Sequence, residues 1–378
     1  MSSPLSDAHE GRRAFDSLDA ARGIAALVVA LHHQSAIHGQ LFASGYLAVD
    51  FFFALSGFVL AHAYGDKLAG GRISTREFLA ARVVRLYPLY LLGLLAVLLA
   101  LSPHLPWSPT AILAKLPFAL LMLPSPSLSA GSFLYPFNIP SWSIFYEVLI
   151  NVVMAVFCLQ LRDARLRWAA IIVAAVVLDV HVLMQGGSVD DSGVWNTLGL
   201  GFARVAFSFF IGMQLYEWHN QRVAAHKPRL HGGWAALSLL VLVACLAAPK
   251  RGWFEMACIL AVFPVLIFVL AEARLQLGIV GAALRQLGIA SYALYMLHIA
   301  FQFGYVSLLA RHDIPANRWP WAGIPLIALI LVASWAADRW WDRPCRTLLQ
   351  DGVQRLRAWR SRRRLAEAPK RSSGRTIR

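Results

Sequence analysis

Leu18-Asp19-Ala20-Ala21-Arg22-Gly23-Ile24-Ala25-Ala26-Leu27-Val28-Val29-Ala30-Leu31-His32-His33 holds an unbroken apolar run, Gly23 to Leu31, between an arginine and a pair of histidines. A helix on the surface of a soluble protein interrupts such a run with a polar stripe. This one offers none, so its whole circumference asks for apolar surroundings.

The same texture recurs outward along the chain. Of 378 residues, 58% are hydrophobic and 15% charged, where soluble globular chains carry roughly 25% charge. That excludes a soluble globular protein, a disordered chain and a collagen-like one. Continuous rather than alternating apolar segments also exclude an outer-membrane barrel. The sequence therefore predicts an all-α polytopic membrane protein.

A helix crossing ~30 Å of hydrocarbon needs about 20 apolar residues. Ten such segments are expected, near residues 23–43, 46–64, 87–102, 142–160, 168–184, 197–217, 234–248, 254–271, 289–309 and 321–340, the third and seventh being short. Residues 103–141 are punctuated by proline around an apolar patch from Ala111 to Leu123. That patch is too short to span comfortably, and the stretch reads as an interfacial or re-entrant excursion.

Lys and Arg orient the spans, because positively charged loops stay cytoplasmic. With the N-terminus inside, 29 of the 35 fall in inside segments and 5 in outside ones, leaving Arg204 within a span. Both termini are thus expected in the cytoplasm. A cytoplasmic segment 1–14 precedes a membrane domain 15–342, and a basic tail 343–378 carries Trp359 and Arg362-Arg363-Arg364. The tail suits anionic headgroups, or serves only as a topology signal. The first span has no obvious small-residue cleavage site and is read as permanent. Cys158, Cys245, Cys258 and Cys345 lack disulfide or metal-site spacing, so neither a disulfide nor a metal is expected.

Ionisable groups inside spans are costly and persist where they pair or face a cavity. Arg22 and His33 are eleven positions apart, within about 20° of whole turns and ~16 Å along a helix. They share a face, whereas His32 points about 80° away. A mid-membrane His33 is a general base, a proton relay, or a polar residue satisfied by a neighbouring helix. Asp50 sits at the outer end of the second span. Arg82 and Arg85 precede the third, spaced to hold an anion such as phosphate or simply to anchor the loop. Glu147 and Arg204 lie in the fourth and sixth spans, and a pairing between them is conceivable. Tyr295 and His298 share a face of the ninth.

Taken in order, LDAARG with His33, GYLAVDFFFALSGF (45–58), RVVRLYP (82–88), SWSIFYE (141–147) and SYALYMLH (291–298) resemble the signatures of acyltransferase family 3, integral membrane enzymes that acylate cell-envelope molecules. Arg22 and His33 match the R-x10-H signature, and the likeness runs from residue 15 to about 300. It implies an acyl-CoA donor, usually acetyl-CoA, as a cytoplasmic co-substrate with no tightly bound cofactor. It also implies an inner-membrane location and a saccharide or glycolipid acceptor. His33 would be catalytic, as base or acyl relay, with Arg22 and Glu147 beside it. Arg82 and Arg85 would face the donor's phosphates, while Asp50, Arg204, Ser143, Tyr295 and His298 would contact substrates.

Tyr146 departs from the small or aliphatic residues common before the glutamate and is expected to narrow the cavity. Neither a GxSxG elbow nor an HxxxxD motif is present, which leaves intramembrane chemistry. Two other classes stay open from the residues alone. One is a transporter using His33, Glu147 and Arg204 as a coupled pathway; the other is a structural scaffold for envelope assembly.

Overall fold

The computed structural model describes residues 15–101, 108–126, 132–184, 188–190, 192–273 and 278–367. The expected segment 1–14 and the last part of the tail lie outside the described residues. Among those described the fold is helical, with isolated bridges pairing Phe133 with Val194 and Leu230 with Ala273.

Twelve helices carry the argument: α1 (Asp16–His33), α2 (Ala48–Leu60), α3 (Thr75–Leu101), α4 (Pro109–Leu120), α5 (Ser141–Val156), α6 (Ala164–Met184), α7 (Leu198–Ala224), α8 (Gly232–Ala247), α9 (Phe263–Glu272), α10 (Gly278–Ala310), α11 (Gly323–Ala337) and α12 (Arg343–Glu367). Single π-helical turns prolong three of them. Ala61–Gly65 extends α2, Cys258–Val262 joins Gly252–Ala257 to α9, and Asp338–Asp342 joins α11 to α12.

Seven of the resulting helices, Gly45–Ala69, Thr75–Ala100, Ala164–Met184, Trp195–Ala224, Gly252–Glu272, Gly278–Ala310 and Pro320–Arg355, are long and apolar enough to cross a membrane. Seven of the ten expected spans fall on these helices, and the other three fall on α1, α5 and α8. Helix α1 has 18 residues but includes Asp16, Asp19 and Arg22, and α5 and α8 have 16 residues each.

The bundle is held by close approach of small residues, as expected where lipid offers no hydrophobic drive between helices. A Cβ on Gly57 would stand 2.0 Å from the Phe209 carbonyl, and one on Gly212 the same distance from that of Ala54. Between α1 and α10, a Cβ on Gly288 would meet the Asp19 carbonyl at 2.2 Å. Helices α2 and α7 bury most of their surface, whereas α6 and α11 bury the least. The outward residues of α6, Ile172, Val173, Val176, Val180 and Leu183, form an apolar face suited to lipid.

Contacts also fix helix directions. Asp19, Arg22 and His33 meet Gly288, Ser291 and His298 in that order, so α1 and α10 run parallel. Helix α3 is parallel to α10 as well, with Leu86 against Tyr292, Gly93 against Met296 and Val97 against Ile299. Helix α5 is antiparallel to α3, since Thr75 bonds the Ala155 carbonyl and Arg82 reaches Glu147. The chain between α3 and α5 therefore leaves and returns at one end of the bundle. Within it, Ser108 caps α4 through the Ala111 N–H, with proline at the first helical position. Helix α4 runs back along α3 until the Leu120 and Ala119 carbonyls accept from Tyr87 and Tyr90, midway down. This is an excursion into the bundle, not a traverse.

A capping box starts α3. Ser74 Oγ accepts from the Glu77 N–H at 3.3 Å, and the Glu77 carboxylate accepts from the Ser74 N–H at 2.8 Å. Arg82 and Arg85 consequently stand on the helix itself, more than a turn past its start, rather than on a loop before a span that begins at residue 87.

Candidate active site

A cavity of about 230 Å³ opens among α1, α2, α3, α5 and α10; Arg22 lines it, whereas His33 and His298 do not. Its polar rim holds Arg22, Arg82, Arg85 and Glu147; its walls are apolar, with Val49, Phe52, Phe53, Leu55, Leu86 and Ile144. It is smaller than the roughly 300–1,000 Å³ of pockets that enclose a drug-sized ligand.

Each rim arginine has an acidic partner. Arg22 bonds Asp19 at 2.8 Å and donates to the Gly288 carbonyl and Ser291 Oγ on α10. Arg82 donates to Glu147 Oε1 at 2.6 Å, and that oxygen also accepts from Ser56 at 3.3 Å. The Arg82 Nε is buried without a partner. Arg85 stands 3.5 Å from Asp342, which Arg346 holds at 2.6 Å, and its guanidinium lies over the Tyr292 ring. Three cations against one lining carboxylate suit an anionic ligand.

Phe52, Ser143 and Tyr295 also line the cavity. Tyr295 lies against His298 in turn, and the His298 ring centroid is 5.0 Å from that of His33. His33 Nδ1 is 2.9 Å from the Val29 carbonyl, and His298 Nδ1 is 3.2 Å from that of Leu294. A carbonyl accepts only, so each Nδ1 carries the proton and each Nε2 the lone pair. The buried Nε2 of His298 has no partner. Helix α1 thus presents Arg22 to the cavity and His33 to the histidine pair, both against α10, as their shared helical face required.

The structure separates the remaining pair from the cavity. Arg204 and Asp50 are fully buried against each other, with Nε to Oδ1 at 3.0 Å. Arg204 also donates to the Val189 carbonyl and Ser192 Oγ, and lies over Trp142. Arg204 therefore pairs with Asp50, and Glu147 with Arg82, in place of the conceivable Glu147–Arg204 pair. With each nitrogen of its guanidinium group hydrogen-bonded, the second terminal one also to Asp50, the pair holds α2 to α7 and does not line the cavity. Tyr146 faces away too: its hydroxyl donates to the Leu198 carbonyl and its ring packs over Gly201. It does not narrow the cavity.

Sequence reasoning did not single out Ser56, Phe52, Ser291, Tyr292 or Asp342. Ser291 had a legible signal, standing one turn before Tyr295 on the same helical face. Phe52 had none, being one aromatic residue in an apolar run.

The family model described as an acyltransferase domain, family 3, matches residues 15–339. "Protein 2 in picA locus" of Rhizobium radiobacter is 45% identical over 157 residues, 37% of this chain and 81% of that protein. "Acyltransferase MdmB" of Streptomyces mycarofaciens is 33% identical over 36% of this chain and 35% of its own length. "Exopolysaccharide production protein ExoZ" of Rhizobium meliloti (strain 1021) is 28% identical over 51% and 57%. No solved structure matches.

Proposed function

The chain belongs to acyltransferase family 3, and we propose that it moves an acyl group, acetyl in the simplest case, from cytoplasmic acyl-CoA to a hydroxyl of a saccharide or lipid-linked glycan at the cell envelope. It is a multi-pass membrane enzyme of the O-acyltransferase type. Family membership decides against the transporter and scaffold readings.

The observation that carries the proposal is an arginine-rimmed cavity whose lining residue Tyr295 packs against His298, which in turn lies against His33. Arg82 and Arg85 would take the donor's phosphates, with Arg22 at the same rim. The cavity's size suits the thioester end of such a donor rather than the whole molecule. The lone pair on His33 Nε2 would accept the proton of the attacking hydroxyl as the new ester C–O bond forms and the C–S bond breaks, the CoA thiolate then taking a proton. Alternatively the same nitrogen accepts the acyl group and passes it on. A saccharide acceptor is favoured by the printed name of the ExoZ relative.

Ten crossings, with both termini in the cytoplasm of a bacterial inner membrane, remain part of this proposal. Parallel α1, α3 and α10, antiparallel α5, and the returning α4 support that count, because they are the directions that alternating crossings require once α4 is left out. The proposed limits are 1–14, 15–342 and 343–378.

The test is mass spectrometry of ester-linked acyl groups on envelope glycans from a deletion strain. The strain carries the wild type or His33→Ala at equal membrane levels. Restoration by the wild type alone is expected; equal restoration by both would remove His33 from the chemistry.

A further inference from the structure

The arginine cluster does not end where the cavity lining ends. Arg85 lines the cavity and also meets the junction of α11 and α12, standing 3.5 Å from Asp342. That junction is the π-turn Asp338–Asp342, which buries both of its aspartates. Turns of this kind recur at functional sites. Trp341 pins it to α3, its indole N–H donating to the Pro88 carbonyl at 2.9 Å, one turn beyond Arg85.

The Asp342 carboxylate is shared by two guanidinium groups. Its Oδ2 lies 2.6 Å from Arg346 Nη2 and 3.5 Å from Arg85 Nη1, so those nitrogens are no more than about 6 Å apart. Its Oδ1 is buried without a partner. One oxygen therefore serves both arginines, and the Arg85 contact is longer than the usual hydrogen bond of about 2.7–3.2 Å. The other rim arginines are held closer, Arg22 by Asp19 at 2.8 Å and Arg82 by Glu147 at 2.6 Å. Arg343 and Asp338 complete the cluster, paired at 2.6 Å, with Asp338 also 3.7 Å from Arg346. Three guanidinium groups thus stand against two carboxylates, and the side chains of Arg85 and Arg346 keep 34% and 23% of their surface exposed.

We infer that Arg346, in the first turn of α12, completes with Arg85 the binding site for the donor's phosphates, and that Asp342 competes with those phosphates for both arginines. The inference rests on the reading of the cavity as the acyl-CoA site. On that reading the cavity takes the thioester end, which leaves the donor's diphosphate and 3′-phosphate at or beyond the rim. A phosphate presents several oxygens to guanidinium forks, where Asp342 engages with one. The helix that follows the last membrane span thereby takes part in donor binding. A lipid headgroup offers the same phosphate chemistry, and the test separates the two sources.

The experiment measures the thermal unfolding midpoint of the purified full chain in an uncharged detergent, titrated with CoA, with pantetheine and, separately, with phosphatidylglycerol. Wild type, Arg346→Gln, Arg346→Lys and Asp342→Asn are compared, each against its own unliganded midpoint. Wild type is expected to bind CoA more tightly than pantetheine, which lacks the phosphates. Arg346→Gln should bind CoA roughly tenfold more weakly, the scale of one charge-assisted hydrogen bond, with pantetheine unchanged. Arg346→Lys keeps the charge without the planar fork and should recover part of the loss. Asp342→Asn should move CoA the other way, tighter by about two- to fivefold, the range of a solvent-screened ion pair. Arg346 is still placed in that variant, by the Asp342 backbone carbonyl and by Asp338.

Equal changes for CoA and pantetheine in all three variants would make the cluster purely structural and overturn the inference. So would weaker CoA binding in Asp342→Asn, for the competition, and unchanged CoA binding in Arg346→Gln, for the phosphate site; either leaves the donor reading standing. Loss of phosphatidylglycerol stabilisation in Arg346→Gln with CoA binding intact would assign the arginine to lipid instead. Failure of CoA to stabilise the wild type would overturn the donor reading itself.

Discussion

His33 on α1 and His298 on α10 face each other at 5.0 Å between ring centroids, each with its Nδ1 proton committed to its own helix's backbone, at Val29 and Leu294. The two imidazoles thus meet without bonding, and their basic Nε2 atoms are left for another partner. His33→Asn is expected to lower the rate of acyl transfer by ~10²–10⁴, the range of a lost general base. His298→Asn should also lower it, and the double variant should lose less than the product of the two, since neighbouring groups couple. Steady-state rates for the four proteins decide this; strict multiplicativity would mean that the rings act independently.

At the rim, Arg82→Ala is expected to weaken donor binding by roughly 10–100-fold, the worth of a charge-assisted contact at about 1.5–3 kcal/mol. It also strips Glu147 of its 2.6 Å partner. Arg85→Ala should do less, because its contact to Asp342 is longer at 3.5 Å and Arg346 remains there. Arg82→Lys should recover little, lacking the planar fork. Titration of donor affinity at fixed ionic strength checks the order.

The buried Asp50–Arg204 pair makes a different prediction. Removing one member leaves the other charge uncompensated, at ~3–5 kcal/mol. Asp50→Asn and Arg204→Met alone should each lower the thermal unfolding midpoint in detergent and the amount of folded protein. Asp50→Leu combined with Arg204→Met should be less harmful than either. A midpoint unchanged in both single variants would rule out the pair as a structural tie.

Gly288→Leu tests the helix contact that positions the histidines. Its side chain has no room against the Asp19 backbone, and overpacking of this kind costs about 1–3 kcal/mol. The expected result is a lower unfolding midpoint together with a loss of activity larger than the loss of folded protein, because α1 must shift relative to α10. Activity per folded molecule equal to wild type would show that the register of the two helices tolerates the change.

What the sequence disclosed about this fold followed from period and charge. The apolar runs gave the helices, and the eleven-residue spacing placed Arg22 and His33 on one face, where both meet α10. Partner choice was not legible. Arg204 has two carboxylates on other helices to choose between, and only the packing of Gly57 and Gly212 brings α2, with Asp50, against it. The start of α3 was misread because its polar first turns resemble a loop, although the Ser74 and Glu77 spacing signals the true beginning. The expected spans at α1, α5 and α8 are the three that charge or brevity sets apart from the seven long apolar helices. The cavity lining was hidden for another reason: Phe52 and Phe53, which line it, differ from Phe51 only in where they point.

The pairing of α1 with α10 has a consequence for biosynthesis. His33 emerges early in translation and His298 late, so a nascent chain carries one imidazole of the pair without the other. At ~5–20 residues per second the interval is roughly 13–53 s. Throughout that time the far side of α1 lacks the helix that Arg22 and His33 lean on. A ribosome-bound or prematurely ended chain would lack the His33–His298 contact, so acyl transfer that depends on it would not begin before the fold is closed.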